Sequence, residues 1–200
     1  QTTSTVQANQ AAGFSIVQYA GSLTSSGTKT IGHGLSKAPE FIIIKNPDKN
    51  TGRWFVQHTG LTSWNYYLSL NTNSAQTNAS GNGSMSDPTN TVFYTNWTEG
   101  SNENPYNHIA YCWHSVEGFS KFGKYEGNSN DDGPFIYTGF RPRMLWIKEI
   151  DTADDWVVYD TARSTFNPVQ KVLRYENATT EFDASGRAID VLSNGFKIRT

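Results

Sequence analysis

The sequence predicts an all-β protein made of two tandem antiparallel β-sandwich units of jelly-roll type, related by an internal duplication. The units cover residues 13–115 and 116–200, after an N-terminal linker over residues 1–12. Three observations predict this. Aromatic residues make up 14% of the chain and charged residues only 17%, with Asn, Ser, Thr and Gly filling much of the rest. That mix suits short strands joined by polar turns, because β-branched and aromatic side chains fit a pleated surface. Long helices would draw instead on Ala, Leu, Glu and Lys. The apolar segments are short, and turn residues separate them. Finally, one set of motifs occurs twice in the same order.

The repeat begins at Gly13-Phe14-Ser15, followed by Tyr19 and Gly21. Its counterpart is Gly118-Phe119-Ser120, followed by Tyr125 and Gly127. Next come Gly34-Leu35, Pro39 and Phe41-Ile42-Ile43-Ile44-Lys45, matched by Gly139-Phe140, Pro142 and Met144-Leu145-Trp146-Ile147-Lys148. Trp54-Phe55-Val56 then matches Trp156-Val157-Val158. The offset drifts from 105 residues (Gly13 to Gly118) to 102 (Trp54 to Trp156), which places small insertions and deletions in the loops, where they are tolerated.

In the first unit, strands are predicted over 14–19, 28–32, 40–45, 53–58, 66–70, 91–96 and 108–115. In the second they are predicted over 119–125, 134–138, 143–149, 155–160, 171–175, 188–192 and 195–199. The segments 47–52 and 151–154 carry the Pro, Asp, Asn and Gly of turns, so the strands on either side read as hairpins. Residues 42–44 and 144–147 are apolar on both parities, the pattern of central strands. The strands carrying Trp54 and Trp156 alternate more, which predicts one face toward solvent. Short helical turns fit 60–65 and 161–167. Residues 71–90 form a long polar loop, of a length that compact domains keep for mobile or functional segments, and 98–107 form a second. The second unit shows no counterpart of the strand at 108–115. The expectation is an open sheet edge, filled by downstream residues or a neighbouring subunit. The chain opens on Gln1 and reads as a portion of something longer.

Charge and composition exclude several roles. A net charge of −2 offers no basic field for phosphates, so no nucleic-acid partner is expected. No apolar run approaches the ~18 residues of a spanning helix, so no membrane insertion is expected. One cysteine, Cys112, rules out an intrachain disulfide and a multi-cysteine zinc site.

Few residues suggest chemistry. His108, Cys112 and His114 share one strand parity, a face that fits a metal or an activated thiolate but equally a buried thiol packed as a small hydrophobe. Asn128, Asn130 and Asp132 place oxygen side chains at alternate positions before Gly133, as calcium loops do. The later bidentate acid is missing, since Gly139 stands in its place. Calcium is therefore a possible cofactor and an Asx-rich turn the plainer reading; Asn46, Asp48 and Asn50 form a weaker set of the same kind. The aromatic residues beside the polar loop are the better lead: Trp64, Tyr66, Tyr67 and Trp97. Rings with polar tips stack on sugar faces while Asn, Asp or Arg supply hydrogen bonds. Trp54, Trp146 and Trp156 are assigned to the core. Glu99, Glu103, Glu117, Glu126, Glu149 and Asp160 are scattered and give no carboxylate pair of the glycosidase kind, so no enzyme is expected.

The motifs at Gly118–Tyr125, Asp132–Phe135, Tyr137–Pro142 and Trp156–Arg163, with Ile109–Trp113 and Leu192–Thr200, resemble a repeat of large virion proteins from marine phages, including cyanophages. Gly32-His33-Gly34-Leu35 and Ala38-Pro39 resemble a related variant. The resemblance covers nearly all of residues 13–200. It implies a concanavalin-like or laminin-G-like sandwich in a tail-fibre or other virion-surface protein, with no catalytic residues to carry over. The implied partners are other virion proteins, copies of the chain itself and a host cell-surface glycan. A capsid decoration or another purely structural virion role is the alternative, and a glycan-processing enzyme stands behind both.

Overall fold

A computed structural model describes residues 1–98 and 100–199. The first half contributes β1 (Ser4–Asn9), β2 (Phe14–Ala20), β3 (Thr28–Gly32), β4 (Phe41–Lys45), β5 (Trp54–His58), β6 (Tyr66–Ser69), β7 (Thr77–Asn78), β8 (Val92–Asn96) and β9 (Asn107–Trp113). The second half contributes β10 (Phe135–Tyr137), β11 (Met144–Ile147), β12 (Val157–Asp160), β13 (Lys171–Arg174), β14 (Phe182–Asp183), β15 (Ile189–Leu192) and β16 (Gly195–Ile198). Two 3-10 turns, Ser80–Asn82 and Ser185–Arg187, are the helical elements among the described residues. The chain is all-β, and its strands form four antiparallel sheets.

The largest sheet has seven strands in the order β1-β2-β9-β4-β5-β6-β7, and β3 pairs with β8 in a two-stranded sheet. In the second half, β11-β12-β13-β14 form one sheet and β10-β16-β15 another. Each half holds one larger and one smaller sheet. A four-strand meander (β4 to β7, then β11 to β14) stands beside a pair (β3 with β8, then β10 with β16).

Strand parity decides where each side chain goes, because successive residues point to opposite faces of a sheet. On β4, Ile42 and Ile44 enter a core shared with Phe55, Ile31, Phe93, Ala110 and Cys112, between the seven-stranded sheet and the β3–β8 pair. Phe41 and Ile43 enter a second core on the opposite face, with Val56, Leu68 and Trp156. A third core, holding Val157, Tyr159, Val172, Ile189 and Val191, fills the space between the two sheets of the second half. The result is a stack of four β layers with three apolar fillings. Each large side chain removed from water in these fillings contributes ~1.5–3 kcal/mol.

The middle filling explains where the sequence-based expectations fail. The strand β5 was expected to turn one face to solvent. Instead Phe55 and Gln57 are buried on one side and Val56 on the other, because the second half covers the outer face of the large sheet. Trp146 and Trp156 belong to the core region as expected, whereas Trp54 lies at the surface with the Lys45 ammonium 5.8 Å over its ring. β4 is central, flanked by β5 and β9. β11, expected to be central too, pairs only with β12 among the described residues. It is apolar on both parities because Leu145 and Ile147 face the third core while Trp146 faces the middle one.

Other boundaries also move. Residues 1–12 are not a linker. β1 pairs with β2 over six positions, from Ser4 opposite Tyr19 to Asn9 opposite Phe14, and Gly13 closes the hairpin at φ 62°. Being an exposed edge strand, β1 carries no apolar periodicity that a sequence reader could find. Residues 119–125 were expected to form a strand and run without strand pairing; only Ser120 bridges back to Val116. The polar loop 71–90 is organised by β7 and the 3-10 turn at Ser80–Asn82, and residues 60–65 and 161–167 form turns rather than helix.

Candidate functional site

The end of β5 and the loop that follows it build a shallow hollow. Leu61 N–H donates to the His58 carbonyl at 3.1 Å and Thr59 N–H to the Glu40 carbonyl at 2.8 Å, so the chain folds back as it leaves the sheet. Gly60 N–H donates to His58 Nδ1 at 2.8 Å. A Cβ at Gly60 would sit 2.9 Å from that same Nδ1, so the contact needs glycine. Further along, Thr62 N–H donates to Gln76 Oε1 at 3.0 Å and Tyr66 N–H to the Ser63 carbonyl at 2.9 Å. The buried Gln57 side chain donates to the Trp64 carbonyl at 2.7 Å. The loop is thereby pinned at both ends and from below.

These residues line a pocket of about 270 Å³ formed by His58, Thr59, Leu61, Thr62, Ser63 and Trp64, with Asp87 from the polar loop on its rim. Trp64 is half-buried, one part of its ring packed against the first core. Burial pushes His58 down to about 4, against the pull of the Glu40 carboxylate. The ring is therefore neutral at neutral pH. Because Nδ1 accepts from Gly60, the proton sits on Nε2 as a donor. An apolar ring, hydroxyls, a neutral imidazole donor and a carboxylate acceptor in a shallow hollow match the needs of a small polyhydroxylated ligand.

The aromatic residues picked from sequence separate. Trp64 lines the pocket. Tyr66 turns to the middle core and Tyr67 to the first, where it stacks on Phe55 with centroids 4.8 Å apart. Alternation along β6 puts the two tyrosines on opposite faces, and neither lines the pocket. Trp97 is 40% exposed outside the pocket lining. The buried Asn96 beside it donates to the carbonyls of Ala79 and Gly83, both at 2.9 Å, which fixes the neighbouring loop. His58 and Asp87 were missed by sequence reading. No local signal links two residues 29 positions apart that line one hollow.

Asn128, Asn130 and Asp132 form an Asx turn. Asn130 Oδ1 accepts from Asp132 N–H at 2.8 Å, and Asn128 Nδ2 donates to the Asp132 carbonyl at 3.0 Å. The Lys197 ammonium lies 2.6 Å from the Asp132 carboxylate and holds it below its usual range. Asn130 Oδ1 and the Asp132 carboxylate are thus already engaged by partners within the protein. In the weaker set, Asn46 Oδ1 accepts from Asp48 N–H, and Asp48 accepts from Asn107 N–H. Among the described residues, no three His, Cys, Asp or Glu side chains gather as metal ligands.

His108 and Cys112 share the interior face of β9, and His114, one residue past its end, is buried as well. His108 stacks on Tyr19 at 5.3 Å, and burial lowers it to about 4. Burial also pushes the Cys112 thiol far above its ordinary range, against a hydrogen bond with Ser15. Of the carboxylates considered from sequence, Glu103 pairs with Lys49 at 2.7 Å and Asp160 with Arg163 at 2.5 Å; Glu99 lies outside the described residues.

No helix among the described residues is long and apolar enough to cross a membrane. No curated protein and no solved structure matches the chain. Residues 1–200, the whole chain, match one family model described as a domain of unknown function, and the protein belongs to that family, DUF7483.

Proposed function

We propose that the chain is a surface module of a bacteriophage particle, of tail-fibre or receptor-contacting type, that holds a host-surface glycan in the Trp64 pocket. The observation that carries this reading is the pocket itself: a half-buried indole beside hydroxyls, a carboxylate and a neutral histidine, on a loop pinned to a rigid sheet. Its volume lies just under the ~300–1,000 Å³ of typical small-molecule sites, which suits a single sugar ring at the end of a chain. Such a site binds weakly alone. Many copies on one particle raise the effective concentration and turn weak contacts into firm ones. The virion-protein resemblance of residues 13–200 supports the setting.

The test is glycan-array binding by the purified chain. Binding that disappears in Ser63→Ala and Asp87→Asn, both exposed residues, and in Trp64→Ala supports the reading. Binding unchanged in all three variants, or no binding to any glycan, overturns it. Trp97→Ala is the control, expected to retain binding because Trp97 does not line the pocket.

A second reading, a purely structural virion component, is favoured by a different observation. The second half leaves Phe119, Phe135, Tyr137, Met144, Phe166 and Tyr175 exposed, and exposed aromatic residues favour contact with other proteins. Electron microscopy of the parent particle distinguishes a tail position from a place on the capsid lattice.

A further inference from the structure

In the first half, β9 lies between β2 and β4 and pairs with both. Its Trp113 stacks on Phe14 of β2 at 5.0 Å and on Phe41 of β4 at 5.2 Å. Phe41 is left 7% exposed.

The second half contains the two flanks of that arrangement. β11 holds the place of β4 at the head of its meander. The segment 119–125 holds the place of β2, as one contact shows. Tyr19 of β2 meets Phe93 of β8 edge-on at 6.4 Å, and Tyr125 meets Phe196 of β16 edge-on at 6.2 Å. Gly118 even repeats the left-handed backbone of Gly13, at φ 74° against 62°. Between the flanks, no strand pairs with the free edge of β11 among the described residues. Both residues that correspond to the partners of Trp113 are bare: Phe119 is 67% exposed and Met144 60%.

We propose that this edge of β11 is a docking site for one added strand, an extended polypeptide segment of β9-like chemistry running antiparallel to β11. The segment carries small residues at the two alternate inward positions, as Ala110 and Cys112 do in β9, and a large aromatic residue opposite Met144, as Trp113 stands opposite Phe41. An open edge supplies a row of main-chain donors and acceptors, and strand addition satisfies them while side-chain pockets give selectivity. Once seated, the strand offers its far edge to residues 119–125, which then gain the pairing that β2 has. A second folded copy cannot supply β9 itself, because that strand is already enclosed on both edges.

The probe is a labelled synthetic peptide with the sequence of residues 105–115, added to the intact chain and followed by fluorescence anisotropy and amide hydrogen exchange. The expected result is saturable one-to-one binding, with slowed exchange at 144–147 and 119–125. A peptide carrying Ala in place of Trp113 is expected to bind at least tenfold more weakly. Met144→Asp and Phe119→Asp, both at exposed positions, are expected to weaken binding while leaving the unfolding midpoint in place. Equal binding by a scrambled peptide, protection confined to other strands, no binding at millimolar peptide, or protection of 144–147 by self-association without peptide would each overturn the proposal.

Discussion

The indole N–H of Trp156 reaches from the second half to the main chain of the first, donating to the Ser69 carbonyl at 3.1 Å and the Thr72 carbonyl at 3.2 Å. The ring itself lies in the middle core with Phe41, Val56 and Leu68. Trp156 is thus both filling and latch between the halves.

Trp156→Phe keeps most of the filling and removes the donor, so it is expected to cost ~1–3 kcal/mol, the range for leaving a buried polar group unsatisfied. Trp156→Ala also opens a cavity and is expected to cost ~3–5 kcal/mol. Urea unfolding checks both. If the middle core couples the halves, the alanine variant will show a lower slope or two separate transitions. A single unchanged transition would show that the latch carries no coupling.

Acid is expected to unfold the protein through its histidines. His58 and His108 stay neutral in the folded chain down to about pH 4. In the unfolded chain they take up protons near pH ~6.5. Between these values the unfolded state binds more protons, so stability rises with pH. The contribution is complete above pH ~6.5 and falls as the pH drops toward 4, by on the order of 3 kcal/mol for each histidine. Denaturation midpoints from pH 7 to pH 4 measure this, and His108→Leu is expected to flatten the slope by roughly half. A flat profile in the parent chain would contradict the burial of these rings.

Cys112 sits in the first core with its thiol held protonated by burial. Iodoacetamide at pH 8 is expected to leave it unmodified in the folded chain and to label it fully in denaturant, so that labelling reports global opening. Rapid labelling under native conditions would show that β9 opens locally.

The Asx turn at Asn128–Asp132 is closed by its own hydrogen bonds and by the exposed Lys197–Asp132 pair. Millimolar calcium is therefore expected to leave the melting temperature unchanged, and Asp132→Asn is expected to do the same. A calcium-dependent rise that Asp132→Asn abolishes would restore the loop as a cation site.

Local pattern was enough to place most strands. β3 was expected at 28–32 and forms over the same residues; β4, β5, β8 and β16 differ by a residue at one end. Turn chemistry and β-branched or aromatic runs are read over a few neighbouring residues, which is why these elements were legible. β1 was not legible, because its side chains are mostly exposed and only its register with β2 makes it a strand. For the site, Trp64 was legible as an aromatic residue beside a polar loop. The opposite fates of Tyr66 and Tyr67, and the placing of Asp87 and His58 around one hollow, were not.

The sequence by itself determined that the chain is all-β, where most of its strands lie and in what order its motifs recur, because a strand's period and its turns are encoded locally. Tertiary structure decided which faces are covered. Both faces of the seven-stranded sheet are covered at β4, β5 and β6, Trp54 is at the surface while Trp156 is a latch, and residues 119–125 join no sheet. The reason is physical: pairing and burial depend on partners tens of residues away, and an alternating segment looks the same whether its neighbour is present or missing.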